Sequence, residues 1–224
     1  MPELLTGLTL DNIPGPHRSQ PVYALGESLK TAQAVFVMIH GRVATAESLL
    51  SLSGEIRAPG LAFIAPQASG YTWYPYSFLE PLESNQPHLD SALAAVDSLI
   101  TQLEDLGKPT QQIFLLGFSR GACLAVEYVR RHPRRYGGLF GLSGGLIGPP
   151  GTKFEAAGSL EGTPVFLGCS DQDPHIPAWR VQESGQVFEL MQAEVTQRLY
   201  PGLGHTVNLD EIKVINTITN QSLA

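Results

Sequence analysis

Cysteine is nearly absent from this chain: the 224 residues include two, Cys123 and Cys169. Two cysteines cannot build the disulfide framework of a small secreted domain. Each lies in an apolar stretch of sequence, so we expect both to be buried free thiols. Unpaired thiols suit a reducing compartment, which favours a cytoplasmic location.

Positive charge is also scarce. Lysine and arginine number 14 against 21 aspartates and glutamates, which gives a formal net charge of −7. Because proteins that bind phosphate backbones present basic surfaces, we expect no nucleic-acid partner. The densest basic cluster, residues 130–135, is interpreted as the solvated end of a helix, where positive side chains complement the helix dipole.

Long hydrophobic runs are missing too. No stretch approaches the roughly 18 consecutive apolar residues of a transmembrane helix, so no membrane span is predicted. Residues 1–15 lack the basic start and apolar centre of a secretory signal. Histidines, cysteines and carboxylates do not occur at metal-ligand spacing, so we predict no metal and no other cofactor.

The chain does contain short β-rich runs that alternate with longer helical patterns. This order predicts an α/β fold in one domain, residues 1–224, with a mostly parallel central sheet and helices on both faces. Residues 8–12 and 21–26 are predicted to form an antiparallel edge. Strands are predicted at residues 34–40, 61–66, 113–117, 138–143, 164–170 and 195–202, and helices at 45–52, 89–107, 121–131, 181–193 and 210–218.

The pattern Gly-x-Ser-x-Gly, which surrounds many nucleophilic serines, occurs twice. Ser119 follows a predicted strand and directly precedes a predicted helix, which is the strand-to-helix turn that such a nucleophile needs. Ser143 also follows a strand, but the stretch after it is rich in glycine and proline and cannot open a helix. We therefore predict Ser119 as the nucleophile and Ser143 as a loop residue near the same edge of the sheet.

A serine hydroxyl needs a base, and the base needs an orienting acid. His205 follows the last predicted strand, where the third member of a Ser–Asp–His order is expected. Asp171 and Asp173 both follow the penultimate strand. We favour Asp173, because a turn-forming proline comes next, and keep Asp171 as the alternative or as a brace for the loop.

His40 ends an early strand, where the loop that supplies oxyanion donors is expected. We expect His40 to orient this loop, and the backbone N–H groups of Arg42 and Arg120 to be the donors. His175 either lines the pocket or packs its loop, and the sequence leaves both roles open. Exposed or capping roles are expected for the remaining histidines, which are His17, His88 and His132.

Five aromatics fall within the eight residues 71–78, with a proline among them. This composition does not suit a regular strand or helix, so we favour a loop that lines a cleft over core packing. The predicted substrate pocket consists of His40, Gly41, Trp73, Tyr74, Phe118, His175 and Ile176.

The segments "HGR", "APQASGYTWYPY", "LLGFSRGACLA", "LSGGL", "CSDQDPHIP" and "GLGHTVN" together resemble the phospholipase/carboxylesterase family of α/β-hydrolases, the group that contains acyl-protein thioesterases. The resemblance covers about residues 35–218. It implies a Ser119–His205–Asp173 triad, metal-free ester hydrolysis and an α/β-hydrolase fold without a large lid domain. It also implies that Trp73 and Tyr74 lie near the active site.

The chain departs from the family pattern at two positions. Val43 replaces a glycine of "HGxGD", which predicts a stiffer loop, and Arg120 stands where glutamine is usual. The Arg120 side chain either attracts an anionic group of the substrate or pairs with a surface carboxylate, and we favour the carboxylate.

The sequence therefore predicts a serine carboxylesterase that hydrolyses small-molecule esters with short to medium acyl chains through an acyl-enzyme. An acyl thioesterase or a lysophospholipase is the alternative within the hydrolases. A non-catalytic small-molecule binding protein is the alternative from another class. Both a monomer and a homodimer fit the sequence.

Overall fold

The strands of the protein are β1 (Glu3–Leu4), β2 (Val22–Gly26), β3 (Ala34–Ile39), β4 (Leu61–Pro66), β5 (Ile113–Phe118), β6 (Gly138–Leu142), β7 (Pro164–Ser170) and β8 (Glu194–Tyr200). They come from a computed structural model that describes residues 1–5 and 7–224. Within these residues they form one sheet in the order β1-β2-β4-β3-β5-β6-β7-β8. The six strands from β3 to β8 all run parallel to one another, which confirms the mostly parallel sheet.

Of the two strands predicted for the antiparallel edge, the one at residues 21–26 is confirmed and the one at residues 8–12 is wrong. Strand β2 pairs antiparallel with β4, as predicted for residues 21–26. Residues 8–12 are not a strand, and the partner of β2 at the edge is β1. The side chain of Gln102 bonds both backbone groups of Thr9, so this segment packs its leucines into the core without a strand partner.

The helices are α1 (Ala46–Leu50), α2 (His88–Asp105), α3 (Arg120–Arg131), α4 (Ala178–Leu190) and α5 (Leu209–Leu223). Thr45 caps α1, and a 3-10 turn continues that helix. Helix α4 begins earlier than predicted, directly after Pro177, whose fixed backbone suits a helix start. Helix α5 continues to Leu223, five residues past its predicted end.

The sheet carries a hydrophobic core on each face, because successive side chains of a strand point to opposite sides. Val35 and Val37 of β3 belong to the core under α2, α3 and α4. Phe36 and Met38 belong to the core under α1 and α5. Helices therefore cover both faces, as predicted, and both cysteines are free and buried.

The loops that matter for function follow the carboxyl ends of the parallel strands. Residues after β3, β5, β7 and β8 meet at this edge of the sheet, where ligands of open α/β sheets bind. The segment between β6 and β7, residues 143–163, contains neither helix nor strand. It forms a loop, as its glycine and proline content predicts.

Candidate active site

Ser119 stands on a sharp turn between β5 and α3. Its backbone has φ 56° and ψ −122°, a conformation that a non-glycine residue adopts only when its surroundings enforce it. The flanking glycines make the turn possible. A Cβ on Gly117 would lie 2.3 Å from the carbonyl oxygen of Gly121, and a Cβ on Gly121 would lie 2.0 Å from that of Ile39.

Ser119, His205 and Asp173 form a continuous chain of hydrogen bonds. The Nε2 atom of His205 lies 2.8 Å from Ser119 Oγ, and its Nδ1 lies 2.7 Å from Asp173 Oδ2. Since a carboxylate oxygen only accepts, Nδ1 carries the proton and Nε2 is free to accept the proton of the serine. This geometry lets the serine hydroxyl become a nucleophile.

Asp173 is held from both of its oxygens. Its Oδ1 accepts from the backbone N–H groups of His175 and Ile176 at 2.8 and 3.0 Å. Burial by itself raises the pKa of Asp173, but the bonds from His205 and these amides outweigh it and leave the pKa below its ordinary value. Asp173 therefore stays ionised next to the imidazole.

Asp171 has a different role in the same loop. Its Oδ1 accepts from the backbone N–H of Gly202 at 2.9 Å, which links the loop after β7 to the turn after β8. The side chain thus braces the segment that carries His205. The structure brings Asp173, and not Asp171, to His205.

Arg42 and Arg120 present backbone N–H groups beside the serine. In the part of the chain that the structure describes, neither N–H has a hydrogen-bond partner. Arg120 is the first residue of α3, where a helix leaves its N–H groups unpaired. Gly41 lies directly beneath Ser119, since a Cβ on Gly41 would be 3.3 Å from the Cβ of Ser119.

His40 braces the loop that carries Arg42. Its Nδ1 donates to the carbonyl oxygen of Gly41 at 2.7 Å, and its Nε2 accepts from the backbone N–H of Ala68 at 3.0 Å. Its own carbonyl accepts from the indole N–H of Trp73 at 2.8 Å. Burial lowers the pKa of His40, so the ring stays neutral.

His17 was expected to be exposed or to cap, and this expectation is wrong. The residue is fully buried, where its Nδ1 accepts from Ser69 N–H and its Nε2 donates to the carbonyl oxygen of Trp73. Its backbone N–H donates to the side chain of Ser91 on α2. His17 therefore anchors the loop after β4, a role for which the local sequence carries no signal.

A cleft of about 370 Å³ opens at Ser119 and His205. Of the predicted pocket residues, Tyr74, His175 and Ile176 border it. His40, Gly41 and Trp73 are buried beneath it, and the ring of Phe118 packs 5.0 Å from that of His205 without reaching the cleft. The remaining lining residues are Arg42, Pro75, Tyr76, Ser77, Phe78, Arg120 and Cys123.

Cys123 and Ser143 carry potentially nucleophilic groups near the cleft, and both side chains are buried. Burial raises the pKa of Cys123 to about 12, so its thiol stays protonated. Ser143 lies after β6 at the same edge of the sheet, but it is fully buried and does not border the cleft. No helix follows it, in agreement with its predicted loop role.

The preferred role of the Arg120 side chain is wrong. No carboxylate among the described residues pairs with it. Its Nη1 donates to Thr72 Oγ1 at 2.8 Å and to the carbonyl oxygen of Tyr74, and its guanidinium lies 4.7 Å from the centre of the Tyr74 ring. Arg120 thereby links α3 to the aromatic-rich loop of residues 71–78.

Val43, which replaces the glycine of the family pattern, has φ 58°. This left-handed conformation explains why glycine suits the position, since a β-branched side chain is strained there. The Val43 N–H donates to the carbonyl oxygen of Tyr71 at 2.9 Å, which holds the loop in place.

Residues 1–5 and 7–224 contain neither a metal-binding cluster nor a helix that could cross a membrane. No group of three or more histidines, cysteines and carboxylates is arranged to hold a metal ion. None of the described helices combines the length and the apolar character that crossing a bilayer requires.

Residues 24–223 match the phospholipase/carboxylesterase family. A phospholipase/carboxylesterase from Dyadobacter fermentans is 42% identical, with a TM-score of 0.86 over 95% of this chain and 100% of that chain. Acyl-protein thioesterase 1 from Kluyveromyces lactis is 30% identical over 138 residues, 60% of each chain. A carboxylesterase from Mesorhizobium loti shares the fold, with a TM-score of 0.69 at 20% identity over 96% of this chain and 97% of that one.

The matched segment spans 60% of the thioesterase from Kluyveromyces lactis, whereas the family match runs from β2 to the end of α5. The family match includes the strand-to-helix turn at Ser119 and the loops that hold Asp173 and His205. The sheet, the helices on both faces and the likeness to solved esterases agree on an α/β-hydrolase fold. The chain belongs to the phospholipase/carboxylesterase family.

Proposed function

We propose that the protein is a serine carboxylesterase. The observation that carries the proposal is the hydrogen-bonded chain from Ser119 Oγ through His205 to Asp173, with distances of 2.8 and 2.7 Å. Such a chain raises the nucleophilicity of a hydroxyl that is otherwise a weak nucleophile. Membership of the family supports ester or thioester hydrolysis.

The reaction follows from the positions of the three side chains. His205 Nε2 takes the hydroxyl proton while Ser119 Oγ attacks the carbonyl carbon, and the carbonyl electrons move to oxygen. The tetrahedral intermediate collapses, and the alcohol leaves with the proton from His205. A water molecule, deprotonated by His205, then attacks the acyl-enzyme, and collapse of the second intermediate releases the acid and restores the serine.

The oxyanion of both intermediates is assigned to the N–H groups of Arg42 and Arg120. Both lack other partners in the described part of the chain, and two preorganised donors are the usual requirement for acyl transfer. Bracing of the Arg42 loop by His40 keeps its donor in position before the charge develops. Each donor of this kind contributes roughly a hundredfold or more to the rate.

Short to medium acyl chains fit the cleft best. Its volume of about 370 Å³ lies near the lower end of the range for ligand pockets. Much of its lining is polar, and the apolar side chains that border it include Phe78 and Ile176. We therefore expect the highest kcat/KM for acyl chains of roughly two to eight carbons.

Thioester hydrolysis is the second candidate, because relatives of this chain are acyl-protein thioesterases. The same triad performs both reactions. The two candidates are separated by comparing a butyrate ester and a butyrate thioester, and then an octanoate and a palmitate of each kind. A clear preference for thioesters, or for chains beyond eight carbons, would favour the thioesterase or lysophospholipase over the carboxylesterase.

The proposal is tested with the variant Ser119→Ala and p-nitrophenyl butyrate. We expect hydrolysis to fall to the background rate while the melting temperature and circular dichroism stay those of the wild type. Ser143→Ala is the matched control and should keep its activity, because Ser143 carries the same local motif away from the cleft. A fluorophosphonate should label the wild type and not Ser119→Ala. An unlabelled, inactive wild type would indicate a non-catalytic binding protein.

A further inference from the structure

Two arginine side chains border the cleft that holds the nucleophile. Arg42 and Arg120 both contribute to its lining, and no aspartate or glutamate among the described residues does. Asp173, which bonds His205 from behind, has a buried side chain, and both of its oxygens already accept hydrogen bonds. The cleft therefore concentrates positive charge in a chain whose net charge is −7.

The guanidinium of Arg120 is only partly satisfied. Its Nη1 bonds Thr72 and Tyr74, whereas its Nε and Nη2 have no partner among the residues that the structure describes. The residue is half-buried, and these nitrogens keep N–H groups that can donate to a ligand in the cleft. Burial lowers the pKa of Arg120, and the charge of Arg42 acts in the same direction.

Arg42 adds a second, more accessible cation. Its side chain is exposed and makes no ion pair within the described residues. Three arginines elsewhere each pair with a glutamate, whereas Arg57, like Arg42, makes no ion pair within the described residues.

A buried hydroxyl lies beside the same cleft. The hydroxyl of Tyr74 is buried and, within residues 1–5 and 7–224, makes no hydrogen bond. Tyr74 borders the cleft under the Arg120 guanidinium. Two cations beside one cleft suit a carboxylate, which accepts several hydrogen bonds and is bound well by arginine.

We propose that the preferred substrates are esters that carry a second, free carboxylate, which Arg42 and Arg120 bind beside Ser119. This inference rests on the proposed esterase function and specifies its substrate class. The carboxylate belongs either to the acyl part or to the alcohol part of the ester. Both positions offer the same anionic group to the two arginines.

Two matched pairs of esters distinguish these positions. Monomethyl adipate is compared with methyl hexanoate for a carboxylate in the acyl part. For one in the alcohol part, 4-carboxyphenyl butyrate is compared with 4-methylphenyl butyrate. In at least one pair we expect the wild type to prefer the anionic ester by about tenfold or more in kcat/KM. Added salt should reduce the preference, because it screens charge.

The variant Arg42→Gln tests the residue, with the ratio of anionic to neutral kcat/KM as the readout. The ratio cancels any loss of catalysis that affects both esters. We expect this ratio to fall by about tenfold in Arg42→Gln. In Arg42→Lys, which keeps a positive charge, the ratio should lie between those of Arg42→Gln and the wild type. Arg57→Gln is the matched control, because Arg57 is exposed and precedes β4 at the opposite edge of the sheet.

The outcomes separate this inference from the proposed function. Hydrolysis of the neutral esters with a wild-type ratio near one in both pairs would overturn the anion preference and leave the esterase intact. An unchanged ratio in Arg42→Gln would overturn the role of that arginine. Failure to hydrolyse any of the four esters would contradict the proposed function and this inference together.

Discussion

The imidazole of His40 accepts a hydrogen bond from the backbone N–H of Ala68 at 3.0 Å. This bond fixes the tautomer, because an accepting Nε2 leaves the proton on Nδ1, which donates to Gly41 at 2.7 Å. One buried ring thus joins the loop after β4 to the loop that carries Arg42. The position of the Arg42 N–H, which we propose as an oxyanion donor, therefore depends on a histidine that does not border the cleft.

The variant His40→Phe should impair catalysis more than substrate binding. Phenylalanine keeps the ring but leaves the Ala68 N–H and the Gly41 carbonyl without partners. We expect kcat for p-nitrophenyl butyrate to fall about tenfold or more, with a smaller change in KM. His132→Phe, at the end of α3, is the control, and equal losses in both variants would contradict the bracing role.

Asp173→Asn should remove most of the activity and Asp171→Asn should not. An asparagine at residue 173 can turn its NH₂ group towards His205 Nδ1, which favours the tautomer that cannot accept the serine proton. We expect kcat to fall by about 10³–10⁴-fold, whereas Asp171→Asn keeps a rate near that of the wild type. The measurement is the initial rate at saturating ester. A large loss in Asp171→Asn alone would reverse the assignment of the acid.

Glu211 should make the stability of the protein depend on pH. Burial raises its pKa to about 7, while its Oε1 lacks a partner among the described residues. The unfolded chain loses this proton near pH 4.5, so the group penalises folding increasingly as the pH rises towards 7. We therefore compare the free energy of unfolding of Glu211→Gln with that of the wild type at each pH. The difference, variant minus wild type, should be about 2 kcal/mol larger at about pH 8 than at about pH 5.

The comparison is made by chemical denaturation at both pH values. Taking the difference between variant and wild type is essential, because His17 and His40 act in the opposite direction. Burial lowers the pKa of both histidines, so they reduce stability as the pH falls below about 6.5. Glu47→Gln, a surface change in α1, is the control. If the free energies of unfolding of Glu211→Gln and the wild type differ by the same amount at both pH values, the proposed effect of Glu211 is contradicted.

Val43→Gly should stabilise the protein. Val43 is 81% exposed, so its side chain contributes little burial, and its φ of 58° is strained for a β-branched residue. Relief of this strain is worth about 1 kcal/mol or more, and the greater freedom of glycine in the unfolded chain offsets part of it. We expect a rise in melting temperature by calorimetry. Val43→Ala, which keeps a Cβ, should raise it less, and a lower melting temperature for Val43→Gly would contradict the strain.

The order of strands and helices could be predicted because each signal is local. Apolar runs such as residues 34–39 mark buried strands. The Gly-x-Ser-x-Gly turn at Ser119 requires its two glycines, because a Cβ at either position would collide with neighbouring backbone. The error at residues 8–12 has an equally clear reason. Alternating leucines also fit a coil, provided that another side chain, here Gln102, satisfies the backbone.

Tertiary contacts alone decided how the site is supported. The burial of His17, the bond between His40 and Ala68 and the attachment of Arg120 to Tyr74 all join segments far apart in the chain. The sequence by itself determined which side chains follow each strand, because hydrophobic period and turn residues act over a few positions. Which of those side chains meet, and which are buried, depended on the folding of distant loops onto one edge of the sheet.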